Sequence, residues 1–223
     1  MQYLEYGFYD IDSNEKETQE NIDIAIKYIP SVISVLPQYV RQIKKIIPEY
    51  IRLSTIIDYP FGLSDTLSRE HAVRTAIDDG IDNIEIICPN YFLCNRKYDR
   101  FRLEVDKIKL LCGNNKIDIR YILEYKLYTL DVLQKIASIL YTKNITTIYP
   151  SSSYSLDNIA DNIIVAMMII KKNPSINVVV NGQAWTDEHI NLILSNPNIN
   201  SYKTTNIHTL EKIFHKIKNH NKI

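Results

Sequence analysis

Ile145-Thr-Thr-Ile-Tyr-Pro-Ser-Ser-Ser-Tyr154 is a short β-branched run that stops at a proline and opens into three serines. β-Branched and aromatic side chains suit a pleated strand. Proline cannot extend a hydrogen-bonded ladder, and serines make turns. A helical pattern follows over Leu156–Lys172, with Ser155 placed to cap it. The stretch therefore reads as one strand–turn–helix unit.

Outward from this unit the same alternation continues in both directions. Strands are predicted over Gln2–Tyr9, Ser31–Leu36, Ile51–Asp58, Asn83–Cys88, Ile117–Glu124, Ile145–Tyr149, Ile176–Asn181 and Asn200–Thr204. Helices are predicted over Glu15–Tyr28, Gln38–Ile47, Thr66–Asp79, Lys97–Cys112, Thr129–Lys143, Leu156–Lys172, Thr186–Ser195 and Ile207–Lys218. The helical stretches carry apolar residues at i, i+3 and i+4, as at Ile136, Ile139 and Leu140. Punctuation agrees: Ser64 and Asp65 precede one helix, Asp79-Gly80 closes it, and Gly113-Asn-Asn115 and Asn173-Pro174 separate later helices from strands. Eight β–α units in 223 residues without an internal linker predict a single-domain (β/α)8 TIM barrel of the α/β class, spanning 1–223. An open doubly wound sheet is the alternative, but no GxGxxG follows the first strand.

Composition narrows the function classes. Hydrophobic residues make up 45%, formal net charge is zero and the pI is near 7.0, so nothing electrostatic points to nucleic acid or an anionic membrane. Cys88, Cys94 and Cys112 form no CxxC pair and have no clustered histidines. No disulfide framework, metal site or cofactor is expected, and a reducing, cytoplasmic compartment is. The N-terminal Met-Gln-Tyr-Leu-Glu-Tyr reads as no signal peptide. The longest apolar run, Ile163–Ile170, is far short of the roughly 20 residues of a membrane span. Heavy use of Ile, Asn, Lys and Tyr with few Gly suggests an AT-rich genome.

Ligands of such barrels bind at the C-terminal ends of the strands. Glu5, Glu85, Arg120 and Glu124 are charged residues in or beside apolar strands. Arg120 and Glu124 are four apart, which alternation would place on one face. If that face is the interior, the charges form either a site with shifted pKa values or a set of buried ion pairs. Ser151, Ser152 and Ser153, then Asn181, Gly182 and Gln183, then Thr204, Thr205 and Asn206 close successive late strands. They are candidate phosphate ligands, or plain turn and cap residues. Lys126 and Lys203 are the amines nearest strand ends, against the ordinary alternative of solvated lysines. His189 and His208 read as surface residues, and His71 falls inside the third predicted helix, away from the expected mouth.

Several stretches resemble the deoxyribose-phosphate aldolase family. Leu36-Pro-Gln-Tyr-Val40 is similar to its Tyr-Pro-Arg-Phe-Ile pattern, and Ile57-Asp-Tyr-Pro-Phe-Gly62 to its Phe-Pro-x-Gly turn. Gly80–Pro89 with Leu93 resembles Gly-Ala-Asp-Glu-Val-Asp-Val-Val-Phe-Pro and its later Leu. Tyr121–Tyr125 resembles Val-Ile-Ile-Glu-Thr, and Asn181–Thr186 falls on Gly-Gly-Val-Arg-Thr. The resemblance implies a barrel, sugar-phosphate lyase chemistry through a Schiff-base lysine, and a homodimer. It places Glu85 at the catalytic aspartate, Arg120 at a lysine, and Glu5 at the first-strand aspartate. Tyr149 stands at the Schiff-base lysine and Val179 near its partner lysine. Gln183 and Lys203 occupy glycine positions, and Trp185 replaces an arginine.

A tyrosine cannot form an imine. Three readings follow: a degenerate aldolase retained for binding or structure; an active lyase using Lys126 or Lys203; or an acid–base isomerase or dehydratase using Glu85, Glu124 and Tyr149. For the last, a phenol near a cation is expected to have a lowered pKa.

Overall fold

Each apolar run is too short to cover its own faces and can be buried only if the following helix returns the chain to the same end. The computed structural model, which describes residues 3–113, 115–154, 157–199 and 201–220, shows this arrangement. Strands β1 (Tyr3–Phe8), β2 (Val32–Val35), β3 (Arg52–Ile57), β4 (Asn83–Ile87), β5 (Asp118–Ile122), β6 (Thr147–Tyr149), β7 (Asn177–Asn181) and β8 (Ser201–Thr204) pair in parallel and in order. The sheet closes through β1 and β8, with Glu5 beside Lys203. Closure removes the unpaired edges of an open sheet.

The helices are α1 (Glu15–Ile26), α2 (Val40–Ile43), α3 (Thr66–Asp78), α4 (Asn90–Cys94), α5 (Tyr98–Gly113), α6 (Leu130–Thr142), α7 (Ile159–Lys172), α8 (Asp187–Ser195) and α9 (Ile207–His220). The predicted helix over Gln38–Ile47 is a 3-10 turn, Pro37–Tyr39, followed by the single turn of α2. Ile47 precedes Pro48, which disfavours helical backbone there. The short α4 was not expected from sequence. Helix α7 starts at Ile159 under Asn158, whose side chain accepts from the Ala160 N–H at 2.8 Å. The expected Ser155 cap, the Leu156 start, Asn114 and Asn200 lie outside the described residues. Asp65 caps α3, and Gly80 turns the chain at φ 93°. Helix α1 has a capping box between Asn14 and Glu17.

Strand alternation sorts the core into two apolar clusters. Leu4, Tyr6, Ile33, Leu53, Ile84, Tyr121, Ile148, Val178 and Tyr202 point outward into the layer between sheet and helices. Tyr9, Leu36, Ile56, Ile87, Ile122, Tyr149 and Val179 form a separate cluster inside the barrel. Among the described residues no helix is long and apolar enough to cross a membrane.

The loop after β3 is held by a residue that sequence reasoning passed over. Arg69 of α3 is fully buried and donates to Asp58 at 2.5 Å, to Glu104 at 3.1 Å and to the Ile87 carbonyl at 2.6 Å. Asp58 in turn accepts from the Ser64 N–H and hydroxyl. Gly62, at φ 62°, lies so close to the Cys88 carbonyl that a Cβ would meet it at 2.3 Å. These contacts fix Tyr59 and Phe61 over the barrel mouth.

Candidate functional site

Five residues singled out in sequence meet inside the barrel: Glu5 (β1), Glu85 (β4), Arg120 (β5), Tyr149 (β6) and Lys203 (β8). All are buried. Lys203 Nζ makes an ion pair with Glu85 Oε2 and donates to the Tyr9 hydroxyl. It also lies 5.0 Å and 5.1 Å from the ring centres of Tyr9 and Tyr149. Tyr9 donates to Glu85 Oε2 at 3.0 Å and Ser54 to Glu85 Oε1 at 3.1 Å. Arg120 donates to Glu5 Oε1 and to the Tyr149 hydroxyl, both at 2.9 Å, and to Asp118 at 2.8 Å. Tyr149 donates to Glu5 Oε2 at 2.8 Å and approaches Glu85 Oε1 at 3.4 Å.

Burial acts against every ionised group here, and the partners decide the outcome. For Glu85, burial pushes the carboxyl up, but Lys203 and Arg120 outweigh it and hold it below its usual range. For Tyr149 the balance goes the other way. Burial raises the phenol well above its ordinary value, and the opposing pull of Arg120 does not compensate. The lowered phenol expected beside a cation is therefore corrected: Tyr149 is held as a neutral hydrogen-bond donor, and Tyr9 likewise.

Glu124 and Lys126 do not join this cluster. The strand ends at Ile122, and Glu124 takes a left-handed conformation at φ 53°. Its carboxylate accepts from the Ser152 N–H at 2.8 Å. Alternation thus fails to carry Glu124 onto the face of Arg120, which corrects the expected pairing. Among the described residues no hydrogen bond or ion pair links Glu124 to Glu85. Burial raises the Glu124 carboxyl despite the bonds from Ser152. Lys126 has a side chain 44% exposed and pairs with Asp157 at 2.6 Å on the rim.

The hydroxyl and amide groups of the late loops are engaged mainly with one another. Ser151 donates to the Asn181 side chain and accepts from Asn162, each at 3.2 Å. The Asn181 amide donates to the Ser151 carbonyl. Ser152 Oγ accepts from the Tyr154 N–H at 3.3 Å. The Gly182 carbonyl accepts from Tyr202 at 2.8 Å. The Gln183 N–H is bonded to the Asp157 carbonyl, and the Asn206 N–H to Thr204 Oγ1 at 3.1 Å. Thr205 lines the recess over the cluster. His71 and His208 are exposed, and His189 is half-buried and accepts from the Trp185 N–H at 3.2 Å.

The recess bounded by Tyr9, Glu85, Tyr149, Ser151, Asn181 and Lys203 has a volume of about 10 Å³, room for roughly one water molecule. Small-molecule sites are typically ~300–1,000 Å³. The mouth is filled by its own side chains. Gly7 makes this filling possible: a Cβ there would meet the Tyr9 ring at 2.8 Å and Lys203 Cε at 2.9 Å. Sequence reasoning missed Tyr9, Gly7 and Ser54. Glu5, Gly7 and Tyr9 share one strand face by alternation, a signal that could have found two of them. Among the described residues no group of His, Cys, Asp and Glu is disposed to hold a metal.

No protein-family model matches the chain. A deoxyribose-phosphate aldolase of Mycoplasmopsis synoviae is 23% identical over 188 residues, covering 84% of this chain and 75% of the relative. Among solved structures, an aldolase called QR15 superposes with a TM-score of 0.83 at 17% identity, covering 99% of this chain and 97% of its own. The tetrameric deoxyribose phosphate aldolase of Aeropyrum pernix gives 0.80 at 13% identity, covering 97% and 89%. In sequence pattern and in fold, the chain is similar to the deoxyribose-phosphate aldolases.

Proposed function

We propose that this chain is an aldolase-like barrel that has given up imine chemistry and acts by binding. The observation carrying this reading is the filled mouth: Tyr149 stands at the end of β6 with its phenol bonded to Glu5 and Arg120, and Lys203 is paired to Glu85 over a recess of about 10 Å³. Imine formation needs an unprotonated amine that a carbonyl can reach. Neither Tyr149 nor Val179 offers one, and Lys126 is committed to the rim. The proposed phosphate ligands Ser151, Ser152, Gly182, Gln183, Thr204 and Thr205 act in this reading as loop scaffolding. The acid–base reading of Glu85, Glu124 and Tyr149 needs a substrate between groups that the recess does not separate.

One observation favours a second reading. Lys203 is an amine inside the barrel beside a carboxylate and two phenols, a setting in which an active lyase would hold its nucleophile. For that, Glu85 would have to release the amine and the tyrosines would have to open. Incubation with deoxyribose 5-phosphate or acetaldehyde, borohydride reduction and peptide mapping separates the two. No adduct and no turnover are expected; an adduct on Lys203 would establish the second reading.

A further inference from the structure

The end of the barrel whose mouth is filled by its own side chains carries large apolar groups on its outside. Phe61, Leu63, Tyr91, Leu127, Tyr154 and Trp185 are each more than half exposed, at 53–68%. They belong to the segments that follow β3, β4, β5, β6 and β7, so all lie at the C-terminal end of the strands. Scattered exposed apolar residues are ordinary, but a set gathered at one end marks an interaction surface. This set is also pre-arranged. Tyr9 packs on Tyr59 with ring centres 5.3 Å apart, Tyr59 on Tyr154 at 5.7 Å, and Tyr154 on Phe61 at 5.4 Å. The row of rings runs from the plug to the surface, and its β3 end is pinned through Asp58 and Arg69.

Charge at this end selects the partner. Asp10, Asp12, Glu15 and Glu188 are exposed in the β1 and β7 segments and the helix turns after them. Asp12 hydrogen-bonds and crowds Asp10 enough to raise the Asp10 carboxyl. Of the cations in these segments, Lys126 pairs with Asp157, Lys97 donates to the Tyr91 hydroxyl at 3.0 Å and Lys16 pairs with Glu20, while Arg96 is exposed, so exposed carboxylates outnumber cations free of such contacts. An aromatic rim flanked by carboxylates complements a segment that is apolar on one face and basic on the other. We infer that the mouth face docks a basic amphipathic segment of a partner protein. This rests on the binding reading above and names the partner's chemistry.

The test uses the full chain and two fluorescein-labelled amphipathic peptides of about 18 residues, one of Leu and Lys, one of Leu and Glu, followed by anisotropy. The Leu–Lys peptide is expected to saturate, and the Leu–Glu peptide to bind at least about tenfold more weakly. A Phe61→Ala/Tyr154→Ala variant is expected to lose about tenfold or more for the Leu–Lys peptide. Trp185→Ala serves as an independent second variant should the double variant melt early. Equal binding of both peptides, no saturation, or unchanged binding by both variants overturns the inference. Concentration-dependent dimerisation that the variants abolish also overturns it, by assigning the face to a second copy. Borohydride trapping on the same preparation keeps the two proposals distinct. An adduct with peptide selectivity intact sinks only the non-catalytic reading, while lost selectivity without an adduct sinks only the docking surface.

Discussion

Lys203 on β8 and Glu85 on β4 form an ion pair across the closed barrel, with side chains 5% and 0% exposed. Each charge is buried, and Lys203 helps to hold the Glu85 carboxyl below its usual range. Removing one partner leaves an uncompensated charge, which costs far more than the pair itself contributes. Lys203→Met is therefore expected to destabilise the protein by about 3–5 kcal/mol. Adding Glu85→Gln should recover part of that loss. Urea unfolding of the two single variants and the double variant measures the coupling; strictly additive losses would show that the pair is not a unit.

Acid titration should separate two carboxylates whose environments act in opposite directions. The Glu85 carboxyl is lowered in the fold, so its contribution is present above the ordinary glutamate value of about 4.3 and is lost as pH falls through the lower folded value. Glu124 is raised by burial, so its contribution is present below the ordinary value and lost as pH rises through the raised one. Glu85→Gln should flatten the acid limb of the stability curve. Glu124→Gln should instead remove a loss that sets in above the ordinary value. Unfolding free energies measured across the acid range would show both.

Tyr149→Phe removes a hydroxyl bonded to both Glu5 and Arg120. An expected cost of about 1–3 kcal/mol follows from leaving buried polar partners unpaired. Because burial holds this phenol well above its usual range, ultraviolet titration of the native protein should be the same with and without Tyr149 around the ordinary phenol value of about 10. A lost titration step there would contradict the neutral-donor role.

Gly7→Ala should be destabilising by about 1–3 kcal/mol, because its Cβ would press on Tyr9 and Lys203. The same substitution made with Lys203→Ala should cost less, since the crowded stem is gone. Thermal melts of the four proteins test whether the plug is a mutually fitted set.

The chain itself determined the architecture. Eight apolar runs, each followed by a helical period and a turn or cap, leave little but a closed parallel barrel, and all eight strands formed at the expected places. The resemblance to the aldolase pattern sets Tyr149 and Val179 at its lysine positions, and neither side chain carries an amine. Local signals misled where backbone geometry departs from the ideal: Glu124 turns left-handed after β5, and the helix expected over Gln38–Ile47 forms only a 3-10 turn and the single turn Val40–Ile43. Only tertiary structure decided what fills the mouth. Lys203 and Glu85 are 118 residues apart, and Arg120 and Glu5 are 115 apart. Whether such charges meet depends on how strands on opposite walls face one another, on the room left by Gly7, and on the length of the lysine stem. None of these is a local property of the chain, and together they bring side chains far apart in sequence into one buried, hydrogen-bonded cluster.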